Sequence, residues 1–68
     1  MNNQLLLKFG QVVKDGRRIH GMEVWHLAER VSMSVDDIHQ IERGVYDPKL
    51  SQMQALARVL DFQIADFL

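Results

Sequence analysis

An all-α fold of five short helices is predicted by three features of the chain. Pro48 is the only proline, so a single position is barred from helix interiors. β-branched residues never alternate with polar ones over a strand length. Apolar residues recur instead at i, i+3 and i+4, the spacing that lines one face of a helix.

Leu5, Leu6, Phe9, Val13 and Arg17 follow that spacing and make helix one. Its pattern ends at Gly21 after Arg17, Arg18 and His20, cations suited to the negative end of a helix. Leu27, Ala28 and Val31 form a shorter face that starts near Glu23. This second helix must stop before Ser34, because Ser34 with Asp37 three residues on is a capping box, in which side chain and backbone satisfy two orphan donors reciprocally. Helix three then covers about residues 35–43, buries Ile38 and Ile41, and ends at Gly44, which adopts the left-handed conformation at no steric cost. Its polar face carries Asp36, His39, Gln40 and Arg43. After a loop at residues 45–48, Ser51 and Gln54 repeat the capping-box pattern ahead of Met53, Leu56, Ala57 and Leu60, the buried face of helix four. Phe62, Ile64, Phe67 and Leu68 supply about two turns, too few to stand alone, so helix five is expected to dock on the body or on a second subunit. Gly16, inside helix one, costs roughly 1 kcal/mol relative to alanine, and nothing in the sequence explains it.

The 68 residues, 47% hydrophobic and 25% charged, predict one domain over residues 1–68. A chain this short buries only about 60% of the surface its unfolded form exposes, which argues against a cofactor pocket or a small-molecule substrate. The absence of cysteine removes disulfides, thiolate zinc sites and cysteine nucleophiles, and fits the cytoplasm. Leu5, Leu6 and Leu7 are the longest apolar run near the start, short of a signal-peptide core of about 7–15 residues or a membrane span of about 20. His20, His26 and His39 lack the i, i+4 pairing of helical zinc sites, and no Ser, His and Asp are placed to suggest a triad. Neither a metal nor an enzyme is expected.

The net charge of −1 hides an uneven distribution. Residues 1–20 set Lys8, Lys14, Arg17 and Arg18 against Asp15, a balance of +3. Residues 21–42 set Arg30 against Glu23, Glu29, Asp36, Asp37 and Glu42, a balance of −4, and the rest is neutral.

Two short helices joined by a tight connection at residues 32–34, the second well capped, form the arrangement that presents a helix to the DNA major groove. The run LAERVSMSVDDIHQIERGVYDP, residues 27–48, resembles the helix-turn-helix of lambda-repressor-like (Cro/repressor, XRE-type) transcription regulators. Leu27 and Ala28, the serines at 32 and 34, Ile38, the run Ile41, Glu42, Arg43, Gly44, and Pro48 carry the likeness, which extends from about residue 9 to residue 68. It implies a compact five-helix DNA-binding domain with the motif at helices two and three. It also implies a salt bridge between Arg17 and Glu42. A planar guanidinium can hold a carboxylate bidentately and tie helix one to the recognition helix.

By the same resemblance, DNA would be met by Val24 and Trp25 at the start of helix two and by Val35, Asp36, Asp37 and Gln40 at the start of helix three. The sequence departs from the family pattern here. Glu23 and Val24 stand where the family has a hydroxyl cap followed by Gln, and neither donates to phosphate oxygens. Asp37 is spent as the capping-box acid. Asp36 repels phosphate but accepts from the amino group of cytosine, so it either reads a base or forbids binding. Val35, Asp36 and Gln40 are the base-reading candidates. Arg43, Lys49, Arg18, Lys14 and the Tyr46 hydroxyl are the phosphate candidates. Val24 and Trp25 form a candidate protein-contact patch, and Phe62, Ile64, Phe67 and Leu68 a candidate homodimer interface.

Two functions follow. One is a homodimeric transcription regulator that binds double-stranded DNA through helix three, repressor-like in type. The other keeps the fold without the DNA: a protein-binding module, antitoxin-like, co-regulatory or adaptor, that turns Trp25, Val24 and the acidic helix three toward a basic protein partner.

Overall fold

A computed structural model of the chain describes residues 1–67. Helix α1, Asn3–Ile19, begins where the Asn2 side chain accepts a hydrogen bond from the Leu5 amide at 2.8 Å. It is followed by α2, Val24–Arg30, by α3, Val35–Glu42, and by α4, Leu50–Leu60. The described residues hold no strand, and no helix among them is long and apolar enough to cross a membrane.

The fifth element differs from expectation. Residues Ile64–Phe67 make a single 3-10 turn, not a two-turn helix. The reason lies in Phe67, which is 5% exposed and packs edge-on against Phe9 of α1 at 5.2 Å between ring centroids. Phe62 completes the triangle, 5.8 Å from Phe9 and 6.0 Å from Phe67. Such edge-to-face pairs add about 0.5–1.5 kcal/mol each beyond simple burial, enough to select a tight local turn over a short helix with no stability of its own. Lys8 lies over the outer side of the Phe67 ring, its Nζ 5.7 Å from the centroid.

All four α-helices contribute to one core. Phe9 and Val13 of α1, Leu27 of α2, Ile38 and Ile41 of α3 and Leu56 of α4 are its fully buried side chains. Helix α4 starts earlier than the capping-box pattern implies. Lys49 has extended backbone and Leu50 is already helical, so Ser51 lies inside the first turn, exposed, and is not the cap. The Lys49 amide is satisfied instead by the Gln52 side chain, whose Oε1 accepts from it at 2.9 Å. Sequence spacing could not separate these choices, since Ser51 and Gln54 match the same offset as Lys49 and Gln52.

Two glycines set the distances between helices. An added Cβ at Gly10 would stand 2.2 Å from the Ile41 carbonyl oxygen and 3.1 Å from that of Glu42, so α1 and α3 meet backbone to backbone at this point. Gly16 plays a milder part, since its Cβ would lie 3.2 Å from the Leu60 Cβ of α4.

Each α-helix stops in the same way. Gly21, Ser32, Gly44 and Asp61 have left-handed backbone, and the residue after each donates its amide to the carbonyl five positions back. These following residues, Met22, Met33, Val45 and Phe62, are all apolar. Three of the four, Val45 excepted, pack into or against the core.

Substitutions at the contact glycine and at the strained turn should move stability in opposite directions. Gly10→Ala gains roughly 1 kcal/mol of helix propensity but must push two backbones apart, so overpacking of up to about 3 kcal/mol or more dominates and the melting temperature falls by at least about 5 °C. Thermal unfolding followed by circular dichroism checks this, and an unchanged or higher midpoint would show that α1 and α3 do not meet so closely. Ser32→Gly relieves a left-handed conformation that costs an L-residue about 1–2 kcal/mol, and should raise the midpoint by several degrees.

Candidate nucleic-acid interface

The connection between α2 and α3 is short because both of its ends are locked. Met33 donates to the Ala28 carbonyl at 2.9 Å to close α2, and the left-handed Ser32 turns the chain. Ser34 then starts α3, its Oγ accepting from the Asp37 amide at 2.9 Å while its own amide donates to Asp37 Oδ2 at 3.2 Å. The start of α2 has no such device, because Glu23 makes no side-chain cap.

The far end of α3 is held by Arg17. Its Nε donates to Glu42 Oε2 at 2.7 Å and its Nη2 to Glu42 Oε1 at 3.1 Å, the bidentate geometry that suits a planar fork. Its Nη1 donates to the Met22 carbonyl at 2.9 Å. One guanidinium thus joins α1, the turn before α2, and α3. The two side chains are 13% and 8% exposed. Hydrogen bonding to Glu42 raises the Arg17 pKa above its already high ordinary value, burial opposes this, and the Glu42 and Glu23 charges add to the rise. Gly10 explains why the pair can form at this distance. It lies two helical turns before Arg17 on the same face, where it lets the α1 backbone approach the end of α3.

With its inner face in the core, α3 presents Val35, Asp36, His39 and Arg43 to solvent. Val35 is 43% exposed. Asp36 and Gln40 are tied together, the Gln40 Nε2 donating to Asp36 Oδ2 at 2.7 Å. Their i, i+4 spacing was the available signal for this contact. Arg43 is exposed at the end of α3, Lys49 is exposed at the start of α4, and Arg18 is exposed in the last turn of α1. Lys14 is half-buried on α1. Tyr46 is half-buried against the core and its hydroxyl accepts from Gln52 Nε2 at 3.1 Å, so Gln52 serves both the Tyr46 hydroxyl and the start of α4. No local pattern in the sequence marks that link.

Trp25 is 60% exposed and stacks on the His26 ring at 5.4 Å. Val24 does not join it. Its side chain is half-buried against the core, so the expected Val24–Trp25 patch reduces to Trp25 on the α2 face. The expected homodimer set changes too. Phe67 is spent in the core, Phe62 and Ile64 are half-buried against it, and Leu68 lies outside the described residues. Further exposed apolar side chains, Leu7, Ile19, Val45 and Leu50, have no counterpart among the sequence candidates. His20 bonds across to α4 through Nε2, 3.1 Å from the Leu60 carbonyl, a contact forty positions away in sequence that no motif announces.

Among the described residues there is no cavity and no cluster of His, Asp or Glu able to hold a metal. No protein-family model and no curated protein matches the chain.

Removing one partner of the Arg17–Glu42 pair leaves the other charge poorly solvated. Arg17→Met or Glu42→Leu alone should cost about 2–3 kcal/mol, below the 3–5 kcal/mol of a wholly buried pair because both side chains keep some contact with water. The double variant should cost less than the two single losses combined. Urea denaturation of all four proteins reads the coupling, and strictly additive losses would show that the pair does not act as a unit.

Proposed function

We propose that the chain is a sequence-specific DNA-binding transcription regulator, a lambda-repressor-like helix-turn-helix domain that acts as a homodimer and inserts α3 into the major groove. The observation that carries the reading is the outward face of α3, held at its start by the capping box of Ser34 and Asp37 and at its end by Arg17. A helix of eight residues is about 12 Å long, comparable to the width of the groove it would enter. The first residues of a recognition helix meet base edges, which here are Val35 and Asp36, with Gln40 one turn on. Val35 offers an apolar surface to a thymine methyl group. Arg43, Lys49 and Arg18 supply the exposed cations for phosphate, with Lys14 and Tyr46 as weaker contributors because each is half-buried. As a two-fold dimer the protein would bind half-sites about one helical turn apart. The role involves no catalysis, metal or cofactor, and places the protein with cytoplasmic DNA.

A second reading has its own support. Trp25, 60% exposed and stacked on His26, and the acidic start of α3 are features that a basic protein partner would meet better than phosphate does. On that reading the fold is kept and DNA affinity is lost.

Selection of bound duplexes from a random library at low salt, followed by salt titration of the selected site, separates the two. The DNA reading expects a dyad-symmetric sequence whose affinity falls as salt rises, by roughly 0.9 in log–log slope for each phosphate neutralised. Arg43→Ala should weaken all sequences alike and reduce that slope by about 1, whereas Gln40→Ala should relax preference at a single position of each half-site. No enrichment would transfer the case to the protein-binding reading.

A further inference from the structure

On the DNA-binding reading, we infer that Asp36 is a positioning residue that fixes the Gln40 amide and so makes the site select amino-bearing bases, adenine or cytosine, and reject guanine. The starting point is the 2.7 Å contact from Gln40 Nε2 to Asp36 Oδ2. An ionised carboxylate only accepts, so it can hold only the nitrogen end of the amide. A free glutamine turns either end toward a base and serves donor or acceptor edges alike. Held by Asp36, Gln40 keeps its nitrogen at the carboxylate and turns Oε1 away from it.

The surface that results is rich in acceptors. It consists of Gln40 Oε1, the remaining lone pairs of the Asp36 carboxylate and one residual Gln40 N–H, beside the apolar Val35. Guanine presents only acceptors, N7 and O6, to the major groove and finds too few donors there. Adenine presents the N6 amino group beside the N7 acceptor, which matches Oε1 and the residual N–H. Cytosine presents its N4 amino group, which matches either oxygen. Both partners are placed to make the contact without strain elsewhere. Asp36 lies in the first turn of α3, where the helix N-terminus favours a carboxylate, and Gln40 follows one turn later on the same face. The neighbouring Asp37 does not compete for the amide, since its Oδ2 accepts from the Ser34 backbone.

The test compares base preference, which a merely structural role would not move. Duplex selection is run on the wild-type protein, Asp36→Asn, Asp36→Ala and Gln40→Ala, each checked by circular dichroism to be folded at the selection temperature; both side chains lie on the outer face of α3. Asp36→Asn keeps the size and offers either an oxygen or a nitrogen to Gln40, so the amide regains both orientations. At the position that responds to Gln40→Ala, the wild type should favour adenine or cytosine over guanine by on the order of tenfold. Asp36→Asn and Asp36→Ala should both bring that ratio close to one, whatever happens to overall affinity. A wild-type preference for guanine there, or a ratio unchanged in both Asp36 variants, overturns the inference while leaving DNA binding intact. No enriched sequence for any of the four proteins overturns the DNA-binding reading and the inference with it.

Discussion

The guanidinium of Arg17 is the contact on which the arrangement of the first three helices depends. Helices of seven and eight residues, α2 and α3, are too short to persist in water and take their stability from what they pack against. Apolar burial by Leu27, Ile38 and Ile41 packs α2 against α3 and α3 against α1, but burial is not directional and does not fix the angle at which α3 leaves the body. Three directed hydrogen bonds do. Two reach the Glu42 carboxylate and one the Met22 carbonyl, so the end of α3 and the chain entering α2 are referred to the same side chain. Gly10, fully buried Val13 and Arg17 form a line down one face of α1. The first allows close backbone approach, the second makes apolar contact and the third pairs charge.

Turn chemistry supplies the second constraint. Four helices that all end on a left-handed residue with the same return hydrogen bond leave little freedom in the connections, which is how four α-helices fold within 27 × 22 × 19 Å. Glycine fills two of those positions at no cost. Asp61 tolerates the conformation better than most residues do, and Ser32 accepts more strain. That strain falls at the bend between α2 and α3, where the capping box at Ser34 follows within two residues. A rigid start to α3 is therefore obtained partly at the expense of local backbone energy.

Much of this was legible in the residues. The 3.6-residue spacing of Leu27, Ile38, Ile41, Met53, Leu56 and Leu60 located the helices and their buried faces, because that period follows directly from burial. Ser34 with Asp37 marked the start of α3, since the motif is local and chemically specific. What failed was of two kinds. Ser51 competed with a pattern of identical spacing that begins at Lys49, and only the backbone at Lys49 decides between them. Val24, Phe67 and the 3-10 turn depended on which apolar groups found room in the core, a three-dimensional question that periodicity does not address. Gly16 belongs with these. Its cost to α1 has its explanation in Leu60, on a helix more than forty positions later. The Asp36–Gln40 contact, by contrast, is local, an i, i+4 pair that emerges when the two residues are read against each other and not only against DNA.

On the DNA-binding reading, that pair also bears on the tension between an acidic α3 and a polyanionic ligand. Non-specific affinity for DNA is almost wholly electrostatic, so a chain of net charge −1, with acids at the start of α3, has little of it. Specific affinity draws in addition on base contacts, which an acceptor-rich surface can make to amino groups. The biologically relevant quantity is the ratio of the two, since a genome offers an enormous excess of competing sites. On the DNA-binding reading, Asp36 lowers both affinities through phosphate repulsion but lowers the non-specific one more, because only the correct edge returns hydrogen bonds to it and to the Gln40 it holds. An acid in the groove then narrows the set of sequences that can be bound without forbidding binding altogether.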